Sequence, residues 1–176
     1  MKEYQSFALS LDNMNDTHKL YVKSPRGRYQ SARNDQILAA ARHTAESLIS
    51  TQHAFSQPLI VEEFFKAKLA GLAHECVAIV YLDQQFRLIR YVEISQGTIN
   101  QASLYPREVV KMGLRLNASA VIMAHNHPSG TLMPSEADNT MTRHMKTALA
   151  LIDISLLDHI IVTGKGTVSM ASKGLI

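Results

Sequence analysis

The chain has 176 residues, of which 46% are hydrophobic and 19% charged, with a formal net charge of +3. That is the size of about one domain with a real buried core, and no apolar run approaches the ~18 residues of a membrane helix. The single cysteine, Cys76, excludes an intrachain disulfide framework and a Cys-rich zinc fold, so a reducing cytoplasmic setting is expected.

The N-terminus, MKEYQSFALSLDNMND, lacks the sustained apolar region of a secretory signal. Residues 1–33 are polar and weakly periodic, which predicts an arm that is partly extended and partly flexible. From Lys19 to Arg33 the basic residues Lys19, Lys23, Arg26, Arg28 and Arg33 occur with no acid between them, and Tyr21 and Tyr29 lie among them. A mild charge of this kind permits nucleic-acid contact without requiring it. SPRGR at 24–28 reads as a turn.

A single domain is expected from residue 34 to 176. NDQILAAARHTAESLIS predicts a helix, with Asn34 or Asp35 as the cap and Ile37, Ala40, Ala41, Ala45, Leu48 and Ile49 near the helical period. Its alanine-rich face leaves the oligomeric state open. SQP at 56–58 reads as the end of that unit, and VEEFFKAKLAGL as a second helix closed by Gly71. ECVAIVYLD and FRLIRYVEIS, joined at Asp83–Gln85, predict a β-hairpin. SLY at 103–105 is a candidate short strand. Pro106 opens a helix whose buried face would hold Val109, Val110, Gly113, Leu114 and Leu116. A buried strand SAVIMAH, a helix from SEADNTM, a strand SLLDHIIV and a hairpin partner TVSM follow. This order implies an α+β or α/β fold, a mixed sheet with helices on its faces.

The chemistry-bearing stretch is AHNHPSGTLMPSEAD, 124–138. At a strand end, His125 and His127 point to one side while Asn126 points to the other. Asp138, in the first turn of the next helix, offers a third ligand. Two imidazoles, one carboxylate and an open position make a catalytic zinc pattern. Ser135 and Asp138 also form the S-x-x-D signature of a helix start, a capping reading that competes only in part, because Ser135 can cap through one lone pair and still offer its hydroxyl to a substrate. A metal-bound water needs a proton acceptor. Among Glu62, Glu63, Glu75, Glu93 and Glu108, the best candidate is Glu75, at the head of the buried run CVAIVYL.

His125-x-His127, then Ser135, then Asp138, with Glu75 upstream, resembles the JAMM motif of the JAB/MPN metallopeptidases. HNHPSG, PSEAD, YPREVV and LLDHIIV resemble the RadC family, which carries such a domain, from about residue 35 onward. The match is to the short form, without a helix-hairpin-helix region. The resemblance implies a curved mixed β-sheet flanked by helices, cytidine-deaminase-like in outline. It also implies Zn2+ held by His125, His127 and Asp138, with Glu75 as general base and Ser135 as oxyanion donor. The implied activity is hydrolysis of a peptide, isopeptide or related amide bond. The alternative is a DNA-associated accessory protein using the basic segment Lys19–Arg33. A metal-bearing module without turnover is a third reading, disfavoured because a scaffold needs neither Glu75 nor Ser135.

Other residues invite weaker readings. Cys76, next to Glu75, is expected in the core. Asp158-His159 reads as structural, with one of the pair supporting a ligand imidazole. Asn126 and Ser129 either shape the turn or reach substrate, and His144 reads as surface or packing.

Overall fold

The computed structural model describes residues 7–8, 20–24, 27–49, 55–96 and 104–176. The chain forms two compact units, Met1–Thr44 and Ala45–Ile176. In the first, β1 (Phe7–Ala8), β2 (Tyr21–Lys23) and β3 (Tyr29–Ser31) make an antiparallel sheet in that order. The segment expected as an arm therefore carries strands. They run two or three residues each, too short for a period of two to stand out in the sequence. Between β2 and β3 the Ser24 amide donates to Arg28 O (2.8 Å) and the Gly27 amide to Ser24 O (2.9 Å), while Pro25 and Arg26 of the expected SPRGR turn lie outside the described residues. Gly27 sits at φ 79°, a conformation that side chains resist.

Helix α1 spans Asn34–Ile49. Its start corrects the expected cap. Gln36 Oε1 accepts from the Arg33 amide (3.0 Å), while Asp35 makes two 3.0 Å bonds with the Arg33 guanidinium. A glutamine reaching back to the residue before the helix is half of a capping box.

In the second unit, α2 spans Pro58–Leu69. Pro58, expected to end the preceding segment, instead begins this helix. Proline has no amide hydrogen to lose in a first turn, and its fixed φ suits that turn. Next come β4 (Cys76–Leu82) and β5 (Leu88–Gln96), then α3 (Pro106–Leu116), β6 (Ala120–Asn126) and α4 (Glu136–Ala150). β7 (Ser155–Val162) and β8 (Thr167–Ser169) complete the unit. Leu104 and Tyr105 lie outside any strand, and Ser103 falls beyond the described residues. Asp83 builds the β4–β5 turn by accepting from the amides of Gln85 (2.8 Å) and Arg87 (2.9 Å).

The sheet order is β5-β4-β6-β7-β8. Only β6 and β7 run parallel, and α4 is the crossover between them. This is the expected mixed sheet flanked by helices. β4 and β6 are buried along their whole length, as central strands covered on both faces must be. One face packs Cys76, Ala78, Val80, Leu82, Ile122 and Ala124 against Phe64, Phe65 and Leu69 of α2. The other packs Ile79, Tyr81, Val121 and Met123 against Val109 of α3 and Met145 and Leu149 of α4. Cys76 is 1% exposed, a core residue as expected.

α3 buries Val109 and Gly113, one turn apart. A Cβ at Gly113 would lie 2.7 Å from Ile154 Cδ1, so this close contact explains the glycine. Leu114, expected on the same face, is 59% exposed, because one further residue turns it about 100° away. Phe65 is fully buried among Phe64 and Tyr91, with ring centroids 5.4 and 6.5 Å away. Phe65→Ala is expected to cost about 3–5 kcal/mol. A urea midpoint within error of the parent protein would show that this face contributes little.

Candidate metal centre

Side chains alternate along β6. Ala120, Ile122 and Ala124 face α2, and Val121 and Met123 face α3 and α4. The alternation carries His125 to the α3/α4 side and Asn126 to the α2 side. The antiparallel register pairs Val77 of β4 with His125. Two residues further along this ladder, Glu75 comes opposite His127. Sheet pairing thus brings a glutamate about fifty positions upstream to the histidines.

Glu75, His125, His127 and Asp138 could together hold a metal ion, each offering one ligand atom, and these atoms all lie within 4.8 Å of one another. His125 Nε2 is 2.8 Å from His127 Nε2 and 3.2 Å from Asp138 Oδ1. His127 Nε2 is 3.6 Å from Asp138 Oδ2. His125 and Asp138 are buried, His127 is partly buried and Glu75 is exposed, so the cluster opens to solvent on the glutamate side. Three of the other upstream glutamates have different partners: Glu62 accepts from Thr167 Oγ1, Glu93 from the Tyr91 hydroxyl, and Glu108 pairs with Arg107 and Lys111.

Asp138 is placed by the start of α4. Ser135 Oγ accepts from the Asp138 amide (3.1 Å), and the Ser135 amide donates to Asp138 Oδ2 (2.7 Å), a complete capping box. The Ser135 hydroxyl also donates to Oδ2 (2.7 Å). The capping reading of S-x-x-D is therefore present, and it leaves Oδ1 turned toward the histidines. Asp138 caps with Oδ2, and Oδ1 faces His125.

The hydrogen bonds test whether the cluster suits a cation. His127 Nδ1 lies 2.7 Å from Thr131 O. A carbonyl only accepts, so Nδ1 carries the hydrogen and a neutral His127 presents its lone pair at Nε2. His125 Nδ1 meets His159 Nε2 at 2.8 Å. Two imidazole nitrogens and a carboxylate oxygen suit a borderline cation such as zinc. Burial alone would raise the Asp138 carboxyl, but without an ion the protonated His125 and His127 donate to it from Nε2, and these bonds, the His125 charge and the Ser135 bond hold it far below the usual carboxylate range; a cation would take the place of those protons. The Asp138 hydrogen bond holds His127 above its ordinary value. Burial, with the His125 charge adding to it, pushes His159 down to about 3, so this imidazole is neutral.

A family model described as the RadC-like JAB domain matches residues 55–175. The chain belongs to this family. It is 51% identical over 140 residues to a UPF0758 protein of Bordetella petrii, covering 80% of this chain and 62% of that protein. A UPF0758 protein of Methylibium petroleiphilum is 43% identical over 161 residues, covering 92% and 72%. One from Vibrio cholerae is 45% identical over 153 residues, covering 85% of this chain and 96% of its own. The chain spans 62% of the Bordetella relative and 63% of a Leptothrix cholodnii relative.

The remaining candidates separate clearly. His159 contacts His125, whereas Asp158 turns away to accept from the His159 amide, Ser169 Oγ and the Ala171 amide. His144 is exposed. Ser129 stays in its turn, its Oγ 3.5 Å from the Thr131 amide. Among the described residues no helix is long and apolar enough to cross a membrane. Two contributors escaped the sequence reading. Thr131 acts through its backbone, which leaves no side-chain signal. Thr142, four residues after Asp138 and so one helical turn on, was findable from that spacing.

Asn126 takes up the other side of β6. Its Oδ1 accepts from the Cys76 amide (2.7 Å), and its Nδ2 donates to His74 O (2.9 Å). These bonds flank Glu75 and tie the stretch before β4 to the histidine strand. Asn126→Ala leaves those backbone groups without these bonds and is expected to cost about 1–3 kcal/mol. Urea unfolding measures this, and an unchanged midpoint would mean that water replaces the amide at no cost.

Proposed function

We propose that the chain is a zinc-dependent hydrolase of peptide, isopeptide or related amide bonds. One observation carries the reading: two imidazoles and a capped aspartate converge in a partly buried cluster whose open side holds an exposed glutamate. His125 Nε2, His127 Nε2 and the Asp138 carboxylate would hold the ion. A bound zinc ion supplies Lewis acidity, which polarises a carbonyl and lowers the pKa of water.

The chain's own groups then do the following. Glu75, on the solvent side, accepts the proton of the attacking water and returns it to the leaving amine. Ser135 turns its hydroxyl from Asp138 Oδ2 to the developing oxyanion, while the Ser135 amide keeps its bond to Oδ2. Thr131 O holds His127 in the ligating tautomer throughout.

Metal content by mass spectrometry on chelator-free protein tests the site, with the His125→Ala, His127→Ala double variant beside it. About one zinc per chain, lost in the variant, is expected. Glu75→Gln should keep the zinc and reduce cleavage of amide substrates at least 100-fold. A folded parent protein that takes up no zinc, or a fully active Glu75→Gln, refutes the reading.

A second reading has its own observation. The β2–β3 register pairs Lys23 with Tyr29 and Tyr21 with Ser31, so these four side chains share one face while Val22 is buried on the other. Tyr21 is 36% and Tyr29 59% exposed. Aromatic rings beside a lysine suit stacked bases and phosphates, which supports contact with single-stranded nucleic acid through Lys19–Arg33. Lys19 and Arg26 of that stretch lie outside the described residues. Deleting residues 1–33 should abolish any salt-sensitive binding to single-stranded DNA. Binding that survives the deletion removes this reading's basis.

A further inference from the structure

We infer that Thr142 and His159 order the protons behind the metal centre, locking His125 in the one neutral tautomer that can bind a cation at Nε2. The inference rests on the metal reading above. Both are positioning residues, and neither touches the ligand cluster's open side.

Thr142 is fully buried on α4. Its hydroxyl has one hydrogen and three neighbours: Asp138 O at 2.6 Å, His159 Nδ1 at 2.6 Å and Met170 Sδ at 3.8 Å. A carbonyl oxygen only accepts, and a thioether at that distance competes weakly, so the hydroxyl donates to Asp138 O. Toward His159 the hydroxyl then only accepts, and His159 must carry its hydrogen on Nδ1. A neutral His159 of that tautomer has a lone pair at Nε2, 2.8 Å from His125 Nδ1. His125 must therefore donate from Nδ1, so that the neutral ring keeps its lone pair on Nε2, where a cation would replace the proton shared with Asp138 and His127. That atom faces His127 and Asp138.

Reasoning from the ion gives the same order. An ion on His125 Nε2 requires a hydrogen on Nδ1. That hydrogen requires an acceptor at His159 Nε2, which leaves the His159 hydrogen on Nδ1 for Thr142. The two directions agree provided a cation lies between His125 Nε2 and His127 Nε2, whose lone pairs are 2.8 Å apart. The relay begins on one ligand and ends on the backbone carbonyl of another, so α4 and β6 are coupled through three side chains. Asp158, the acid adjacent in sequence, cannot take the role, because its oxygens are engaged by the His159 amide, Ser169 and Ala171. A ligand histidine more often rests on a carboxylate or a carbonyl. An imidazole acceptor sets the tautomer without adding a negative charge to the centre.

The test uses the full chain, zinc, and a chromophoric chelator as competitor. Thr142→Val keeps the shape but removes the hydroxyl, and is expected to weaken zinc binding about 10- to 100-fold. Thr142→Ser should restore affinity to near that of the parent protein. Long-range 1H–15N spectra of the zinc-loaded parent protein should show His159 protonated at Nδ1 and His125 at Nδ1. The inference is overturned by unchanged zinc affinity in Thr142→Val, or by a His159 hydrogen on Nε2. The spectra decide even if Thr142→Val does not fold. A parent protein that binds no zinc defeats the metal reading and this inference with it, whereas normal parental binding with an insensitive Thr142→Val defeats this inference alone.

Discussion

The register of β6 between β4 and β7 is the constraint on which the rest depends. A one-residue slip in a strand exchanges its two faces. Here it would swing His125 toward the α2 core and Asn126 toward α4. The apolar alternation of Ala120 to Ala124 prevents this, because each face is matched to a different packed layer. The same register brings Val77 opposite His125 and so carries Glu75 to His127. Hydrophobic packing thereby decides the geometry of a polar cluster that contributes nothing to the core itself.

Burial sets the second requirement. His125, His159 and Thr142 have no exposed surface, and buried polar atoms are costly unless paired. The structure pairs them with one another and with backbone carbonyls, using no additional charged group. Asp138 is the one buried acid of the cluster. It is stabilised by the Ser135 amide and hydroxyl on one oxygen, and its other oxygen faces His125 Nε2, where a proton or a cation would satisfy it. Its cap holds the end of α4 and aims a carboxylate oxygen at the histidines, so the local stability of the helix and the geometry of the centre share the same atoms.

Much of this was legible in the sequence. The long central elements declared themselves through continuous apolar runs or helical spacing. His-x-His at a strand end, with S-x-x-D opening the next helix, contains its own geometry because both periods are local. Less was legible where the signal is short or ambiguous. β1 to β3 are too brief to show alternation. Pro58 closes one segment or opens the next with equal plausibility until the helix is seen. Leu114 lies at the edge of a narrow buried face, where one residue of rotation decides exposure.

The sequence by itself determined the order of elements, the mixed sheet with helices on its faces, and the three residues whose spacing brings them together at one strand end and one helix start. These follow from periods of two and 3.6 residues and from capping chemistry, which act over a few positions. The tertiary structure brought Glu75, the best candidate in the sequence, to them, and it alone decided which of Asp158 and His159 meets His125 and how Thr131, Thr142 and Asn126 hold the cluster. Those outcomes depend on strand register and on contacts between residues 17 to 54 positions apart, or on a backbone carbonyl that no side chain announces.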